Sequence, residues 1–505
     1  MTIKRLNIGV IFLLLFSYSC SRQDIGSEEL PETSEVADVP RLAQSPWPIY
    51  HANTNATASS KNLGPGDIAQ VQSIASQTNK FGKSDVSPWT VVGDVYPDGS
   101  QPFYTTPNEG IAKYLIDGET FKPVDILSLD RKFFDYDWTI AVLEGNRVVT
   151  TEIKNNRFVV IGDQNESATS PLEIKYFVNV DLDLYGRLTS HFTISHDGHI
   201  IALTQDNKLV AVDIVRREVA AFIDLSSGSG VSFHNSFPID KEGRIYLSTQ
   251  KQLSAYDWNG EFFVSVWDAP YDMRGPGCEG YDENITRLEE VTNIANGELC
   301  TGSGTTPSLM GEQADGIVVI LDGHAPKNNV VAFWRGIIPE DWEPLPDPNN
   351  EGSFLNRRVA GVFPLPYSTP MGDGFTAENS PAVLDNSLIA AQWGGFSPED
   401  SYPKGVQRVD WIPDERKLEL AWANPEAHFN GVPTIACRNG KCQTYGMGVL
   451  NGTFVYQALD FQTGEMKAQL ALGTDQSVLD QGNNHAVASD GSIIYSGRFE
   501  MVRVR

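Results

Sequence analysis

The chain has 505 residues, with 65 Asp or Glu against 38 Lys or Arg and a net charge of −27. That balance excludes nucleic acid as a partner, because phosphate binding needs clustered cations. Hydrophobic residues make up 41%, enough for a large core, and big all-β folds can use a chain of this length in one domain.

In chain order, the first element is an address. Lys4 and Arg5 precede the apolar run 6–16, which is too short to span a bilayer and reads as a secretory signal. Ser17-Tyr-Ser-Cys20 then resembles a bacterial lipoprotein processing site. Residues 1–19 are therefore expected to be the signal peptide and Cys20 the lipidated first residue of the mature chain, carrying acyl groups such as palmitate. Ser21 beside it points to the outer membrane, with the domain held in the periplasm or at the surface. Ordinary cleavage near Ser19, with an incidental cysteine, is the alternative. Residues 20–45 are acidic and polar and cannot bury a core, so they read as a disordered tether. No later apolar stretch is long enough to cross a membrane.

Residues 46–505 are expected to fold as one domain. A short helix-like stretch lies at 68–74, and beyond it strand patterns recur. Five segments share a polar start, a short apolar strand, an Asp/Asn/Gly turn and a second strand; they open at His191, His234, Asn379, Pro433 and Asn484. A sixth, Gly304-Thr-Thr306-Pro-Ser-Leu-Met310, has a longer turn. Third strands end in a common phrase: Leu209-Val-Ala-Val-Asp213, Leu253-Ser-Ala-Tyr-Asp257 and Tyr456-Gln-Ala-Leu-Asp460. Such units cannot bury both faces alone and must stack radially. With two less regular units before residue 185, the pattern predicts an all-β fold, a seven- or eight-bladed β-propeller of four-stranded antiparallel blades. The C-terminal strands are expected to close the ring against a strand from the N-terminal region.

Ala458-Leu-Asp-Phe-Gln-Thr-Gly-Glu465 resembles the repeat of the quinoprotein-like propellers, which include quinone-dependent alcohol dehydrogenases and an outer-membrane assembly scaffold lipoprotein. The resemblance covers much of 185–505 as architecture. The docking Trp that the family places after this phrase is replaced here by Lys467-Ala-Gln-Leu470, and the chain has no vicinal cysteine pair. The quinone cofactor (PQQ) is accordingly not expected. Gly302-Ser-Gly-Thr-Thr-Pro-Ser-Leu-Met-Gly311 and Phe333-Trp-Arg-Gly-Ile-Ile-Pro-Glu-Asp-Trp342 resemble uncharacterised bacterial members of the same group, and that likeness implies no activity.

Beyond Cys20 the cysteines are Cys278, Cys300, Cys437 and Cys442. An even number in an exported chain suggests two disulfides. Cys437 and Cys442 flank Asn439-Gly440, a hairpin turn signal, which leaves Cys278 to pair with Cys300. Zinc is the rival, but no His stands at ligand spacing.

No motif with a committed mechanism is present. Asp181 and Asp183 read as solvated carboxylates, and Gly302-Ser-Gly304 as a turn. The repeat itself points to a site. Innermost strands line the channel of a propeller, so their equivalent starts should converge at one mouth, which gives His191, His234, Asn235, Thr306, Glu378, Asn379, Asn484 and His485 as candidate ligand-binding residues. His51 is a possible addition from the N-terminal segment. Trp47, Trp393 and Trp411 could stack on sugar rings, although inter-blade packing is the commoner use. Three functions stay open. One is binding of a glycan or small organic molecule in the axial pocket. Another is an enzyme there, a polysaccharide lyase or a lactonase or lyase holding a divalent metal. The third is an outer-membrane protein scaffold. The chain is expected to be a monomer.

Overall fold

A computed structural model describes residues 40–74, 89–106, 110–129, 139–225, 236–274, 303, 305–311, 316–324, 327–348, 350–368, 379–392, 405–479, 484–498 and 500–505. The signal segment, Cys20, the pair Cys278 and Cys300, and His234, Asn235, Glu378 and Trp393 lie outside the described residues.

Eight antiparallel sheets follow one another as eight blades. Blade 1 comprises Thr90–Val92, Gln101–Thr105, Gly110–Asp117 and Thr120–Ser128, and blade 2 comprises Ile140–Leu143, Arg147–Glu152, Arg157–Asp163 and Leu172–Asn179. Blade 3 runs Leu188–Ile194, Ile200–Thr204, Lys208–Asp213 and Glu218–Asp224. Blade 4 has Arg244–Ser248, Gln252–Trp258 and Phe263–Pro270, with Ile239 bridging Ile245 at the innermost position. Blade 5 is Ser308–Met310, Ile317–Leu321, Asn329–Trp334 and Val359–Pro364, and blade 6 is Ala382–Leu384, Ser387–Ala390, Val406–Ile412 and Lys417–Asn424. Blade 7 is Thr434–Arg438, Lys441–Leu450, Thr453–Asp460 and Met466–Gly473. Blade 8 takes Ala486–Val487, Ile493–Ser496 and Met501–Val504 from the C-terminus, and its outermost strand is Val71–Ile74.

That last strand corrects one expectation. The stretch 68–74 is not helical: Val71 pairs with Val504 and Ile74 with Met501, because an extended edge satisfies the backbone of the final strand where a helix would leave it open. The ring thus closes on an N-terminal strand, as expected. The ordered body also reaches back to Pro40, since Leu42 bridges Leu143 and the Ala43 amide donates to the Val142 carbonyl at 2.8 Å.

The core lies between blades. Separate apolar clusters join blades 1 and 2, 2 and 3, 3 and 4, 4 and 5, and 5 and 6, and one larger cluster joins 6, 7, 8 and 1. Middle strands are covered on both faces and so read as unbroken apolar runs; Ile317–Leu321 is buried throughout. Outer strands alternate, as in Glu218–Asp224 and Met466–Gly473. Polar bridges lock neighbouring blades at several seams. Lys113 of blade 1 meets Asp163 of blade 2 at 2.5 Å, both side chains almost fully buried. Trp258 Nε1 of blade 4 donates to Asp197 of blade 3 at 3.0 Å, and Arg335 beyond the third strand of blade 5 reaches Asp240 of blade 4 at 3.2 Å.

The phrase around Asp460 makes the expected turn. Its carboxylate accepts from the amides of Gln462 and Thr463, at 3.0 and 2.9 Å, and Gly464 adopts a φ of +71°. A Cβ at Gly464 would lie 2.5 Å from the ring of Trp422, whose Nε1 donates to the Phe461 carbonyl at 2.9 Å. The aromatic lid on this turn therefore comes from the outer strand of the preceding blade. Cys437 and Cys442 are disulfide-bonded across the hairpin, their Cα atoms 4.0 Å apart. Asn439 and Gly440 both have positive φ, as a primed two-residue turn requires. Asp181, read as solvated, caps the one-turn helix Leu182–Tyr185 through its side chain. Trp47 and Trp411 are buried packing residues.

Candidate functional site: the axial hub

Residues 51–60, His-Ala-Asn-Thr-Asn-Ala-Thr-Ala-Ser-Ser, are small or polar almost throughout, and such a segment can pass close to other backbones. It does so along the inner edges of the blades. The carbonyls of Trp47 and Pro48 accept from Val92 of blade 1 and Val142 of blade 2, at 2.8 and 2.7 Å. Those of Thr54, Asn55, Thr57 and Ala58 accept from Ile239, Leu309, Val383 and Ile435 of blades 4, 5, 6 and 7, at 2.8, 3.0, 2.7 and 3.1 Å. Ser59 and Ser60 then lie parallel to Ile435 and Ala436. Innermost amides that face an open channel in a bare ring are thus satisfied by the chain's own N-terminal segment. His51, Ala52, Ala56 and Ala58 hold φ values of 57°, 75°, 55° and 48°. Non-glycine residues persist in this left-handed region only where the surroundings over-determine them.

His51 is fully buried, and desolvation pulls its imidazole down to about 3, so the ring is neutral at physiological pH. Its Nε2 lies 3.2 Å from Thr306 Oγ1, which lies 2.5 Å from Ser236 Oγ. The Thr306 amide donates to Ser380 Oγ at 2.9 Å. This cluster joins the N-terminal segment to blades 4, 5 and 6. His51 Nδ1 has no partner among the described residues.

The other candidates separate around it. Asn379 is buried and its Nδ2 donates to the Asn430 carbonyl at 3.2 Å, bridging blades 6 and 7. Asn484 is fully buried, with Nδ2 3.5 Å from the Thr90 carbonyl and Oδ1 without a partner among the described residues. His191 sits half-buried in Leu188–Ile194, its amide donating to Thr189 Oγ1 at 3.2 Å. His485 turns between blades: its ring stacks on Tyr456 and Tyr495, and its Nδ1 lies 2.9 Å from Tyr456 Oη. One residue of register separates Asn484 from His485, and in a strand that one residue reverses the side chain. The structure therefore brings Thr306 together with His51 and places Asn379 at the seam of blades 6 and 7 and Asn484 at that of blades 8 and 1. It assigns His485 to inter-blade packing. Ser236 went unnoticed in the sequence, where a lone serine carries no signal; the run of small residues at 51–60 was the available clue to the hub.

No family model matches the chain. An uncharacterized protein of Archaeoglobus fulgidus is 24% identical over 369 residues, 69% of this chain and 66% of that protein. The chain thus spans just under two thirds of that relative's length. Among solved structures, the quinohemoprotein alcohol dehydrogenase of Comamonas testosteroni superposes over 91% of this chain and 80% of its own, with 14% identity and a TM-score of 0.50. The chain shares the propeller fold of that dehydrogenase. Alcohol dehydrogenase ADHIIG of Pseudomonas putida HK5 covers the same shares at 13% identity and a TM-score of 0.50. BamB of Moraxella catarrhalis covers 87% of this chain and 97% of its own at 11% identity, with a TM-score of 0.47. At these identities the likeness concerns the fold.

Proposed function

We propose that this chain is an exported, lipid-anchored envelope propeller that acts as a protein-binding scaffold through its rim. One observation carries the reading: residues 47–58 hydrogen-bond the inner edges of six blades, which supports an axis occupied by the chain itself and a rim left for partners. The basic start, short apolar run and Cys20 support export and anchoring. A hub built on His51 offers little to catalysis, because an imidazole with a pKa of about 3 is a weak general base at neutral pH. It is also ill matched to a quinone cofactor bearing carboxylates, since the described side chains bonded around His51 are the hydroxyls of Thr306, Ser236 and Ser380, with no cation.

Photo-cross-linking in cells tests the scaffold reading. A photoreactive residue at exposed rim positions, set against the same residue in place of Ser236, should give discrete adducts with an identified envelope protein from the rim alone. Adducts from neither position would overturn it. Anchoring has its own measurement: the N-terminal peptide should carry an acylated Cys20, and Cys20→Ala should release the protein from membranes.

A second reading, a small polar ligand in the hub, is favoured by the unpartnered His51 Nδ1 and Asn484 Oδ1, both fully buried. In that case a molecule co-purifies with the protein and Thr306→Val releases it.

A further inference from the structure

We propose that the rim at the seam of blades 4 and 5 is a docking site for an extended segment of another protein, apolar along one face and carrying a carboxylate. The inference rests on the scaffold reading and names the surface and the chemistry of its partner. Elsewhere the link between third and fourth strands is short, residues 214–217 in blade 3 and 461–465 in blade 7, whereas in blade 5 it runs from 335 to 358. Long ordered loops on a rigid scaffold commonly carry function. This one is well tied: the Leu355 amide donates to Leu345 O at 2.8 Å, and Arg357 donates to the carbonyls of Pro339, Glu340 and Trp342 at 3.0, 2.7 and 2.7 Å. Trp342 stands edge-on to Trp334, with centroids 5.4 Å apart. Despite that order the loop displays Phe354, 69% exposed, beside Leu355, which packs into the cluster of blades 4 and 5; Ile337, 88% exposed, lies on the stretch that turns toward blade 6, where Asp341 meets Arg416 at 2.8 Å.

On the blade 4 side of this seam lies its outer strand, Phe263–Pro270. Its outer edge pairs with no strand among the described residues, and Val264 and Val266 are 44% and 38% exposed. Blade 6 instead shows Lys417 and Glu419, and blade 7 Lys467, at exposed positions of their outer strands. Charges of that kind keep an edge from pairing with another chain; blade 4 has valines at 264 and 266 and its exposed charge, Asp268, only beyond them. At the seam, Trp267 of that strand lies beneath the guanidinium of Arg358, 4.4 Å from the ring centroid. Arg358 donates to the carbonyls of Trp334 and Gly336, both at 2.9 Å, and meets no carboxylate among the described residues. Arg244 nearby is already engaged by Asp257 at 2.6 and 2.9 Å. Burial, then the neighbouring Arg244, pulls Arg358 down to about 10, which leaves it charged at neutral pH. An apolar edge strand calls for strand addition, and a part-desolvated cation without a counter-charge calls for a carboxylate beside it.

Selection from a library of short random peptides against the folded protein, with hits measured by fluorescence anisotropy, tests this. The recovered peptides should alternate apolar residues and contain Asp or Glu. Arg358→Gln and Val266→Asp should each weaken binding about tenfold or more, Arg358→Lys should weaken it less, and all three should keep the circular dichroism of the parent. Peptides indifferent to acidity or to these variants would overturn the proposal, as would failure to enrich any peptide. A dimer in sedimentation that Val266→Asp dissolves would also overturn it, by making the occupant a second copy. In each of these cases the scaffold reading still stands or falls on cross-linking from the rest of the rim.

Discussion

At the scale of the residue, His51 links pH to stability. Its folded pKa of about 3 lies below its ordinary value of 6.5, so the unfolded chain takes up the proton first as the solution is acidified. The stability it contributes is complete above pH 6.5 and is lost as pH falls toward 3, amounting to about 2 kcal/mol by pH 5. Comparing denaturant midpoints at pH 7.5 and 5, His51→Asn should lose about 2 kcal/mol less than the parent; an equal loss in both would show that His51 does not govern this limb. Asn also suits the left-handed backbone at that position. Lys113 and Asp163 give a second test at this scale. Removing one partner of a buried ion pair leaves an uncompensated charge, at a cost of about 3–5 kcal/mol. Lys113→Met should therefore lower the urea midpoint far more than truncation of the exposed Lys61, whose pair with Asp385 lies in solvent.

At the scale of the element, the hairpin Thr434–Arg438 with Lys441–Leu450 is the clearest case of local chemistry deciding structure. Asn439-Gly440 sets a tight turn and the flanking cysteines meet across it. By loop-closure entropy the short cross-link contributes about 2 kcal/mol, so Cys437→Ser with Cys442→Ser should lower stability by that amount in thermal melts without changing the strand signal. Most of the blades were legible in the same way, because each Asp/Asn/Gly turn and each Ala-x-Asp phrase acts through its own backbone. The strand at 71–74 was not: a few alternating residues fit either a helix or a strand, and the choice falls to a partner more than four hundred residues away. The direction of His485 is hard to read for a comparable reason, since it depends on a single residue of register that no local signal fixes.

At the scale of the whole molecule, the segment through the hub is the part of the candidate site that repeat alignment could not reveal, because it belongs to no repeat. Trp47, Ala52 and Ala58 belong to the same core cluster as residues of blades 1, 6, 7 and 8. A chain starting at residue 62 should fail to form a cooperative fold by near-ultraviolet circular dichroism, and a peptide of residues 40–61 added in trans should restore it in part; a stable, cooperative truncated protein would show the hub segment to be dispensable. Ring closure also has a consequence in time. Strand 71–74 is made early, yet its partner, Met501–Val504, is translated more than four hundred residues later, and the hub segment must wait for blades 4 to 7 before most of its carbonyls find donors. Contacts so distant in sequence form slowly. Until residues 501–504 emerge the ring stays open, so on the export route proposed above a secretion machinery that threads unfolded polypeptide would meet a substrate that cannot close prematurely.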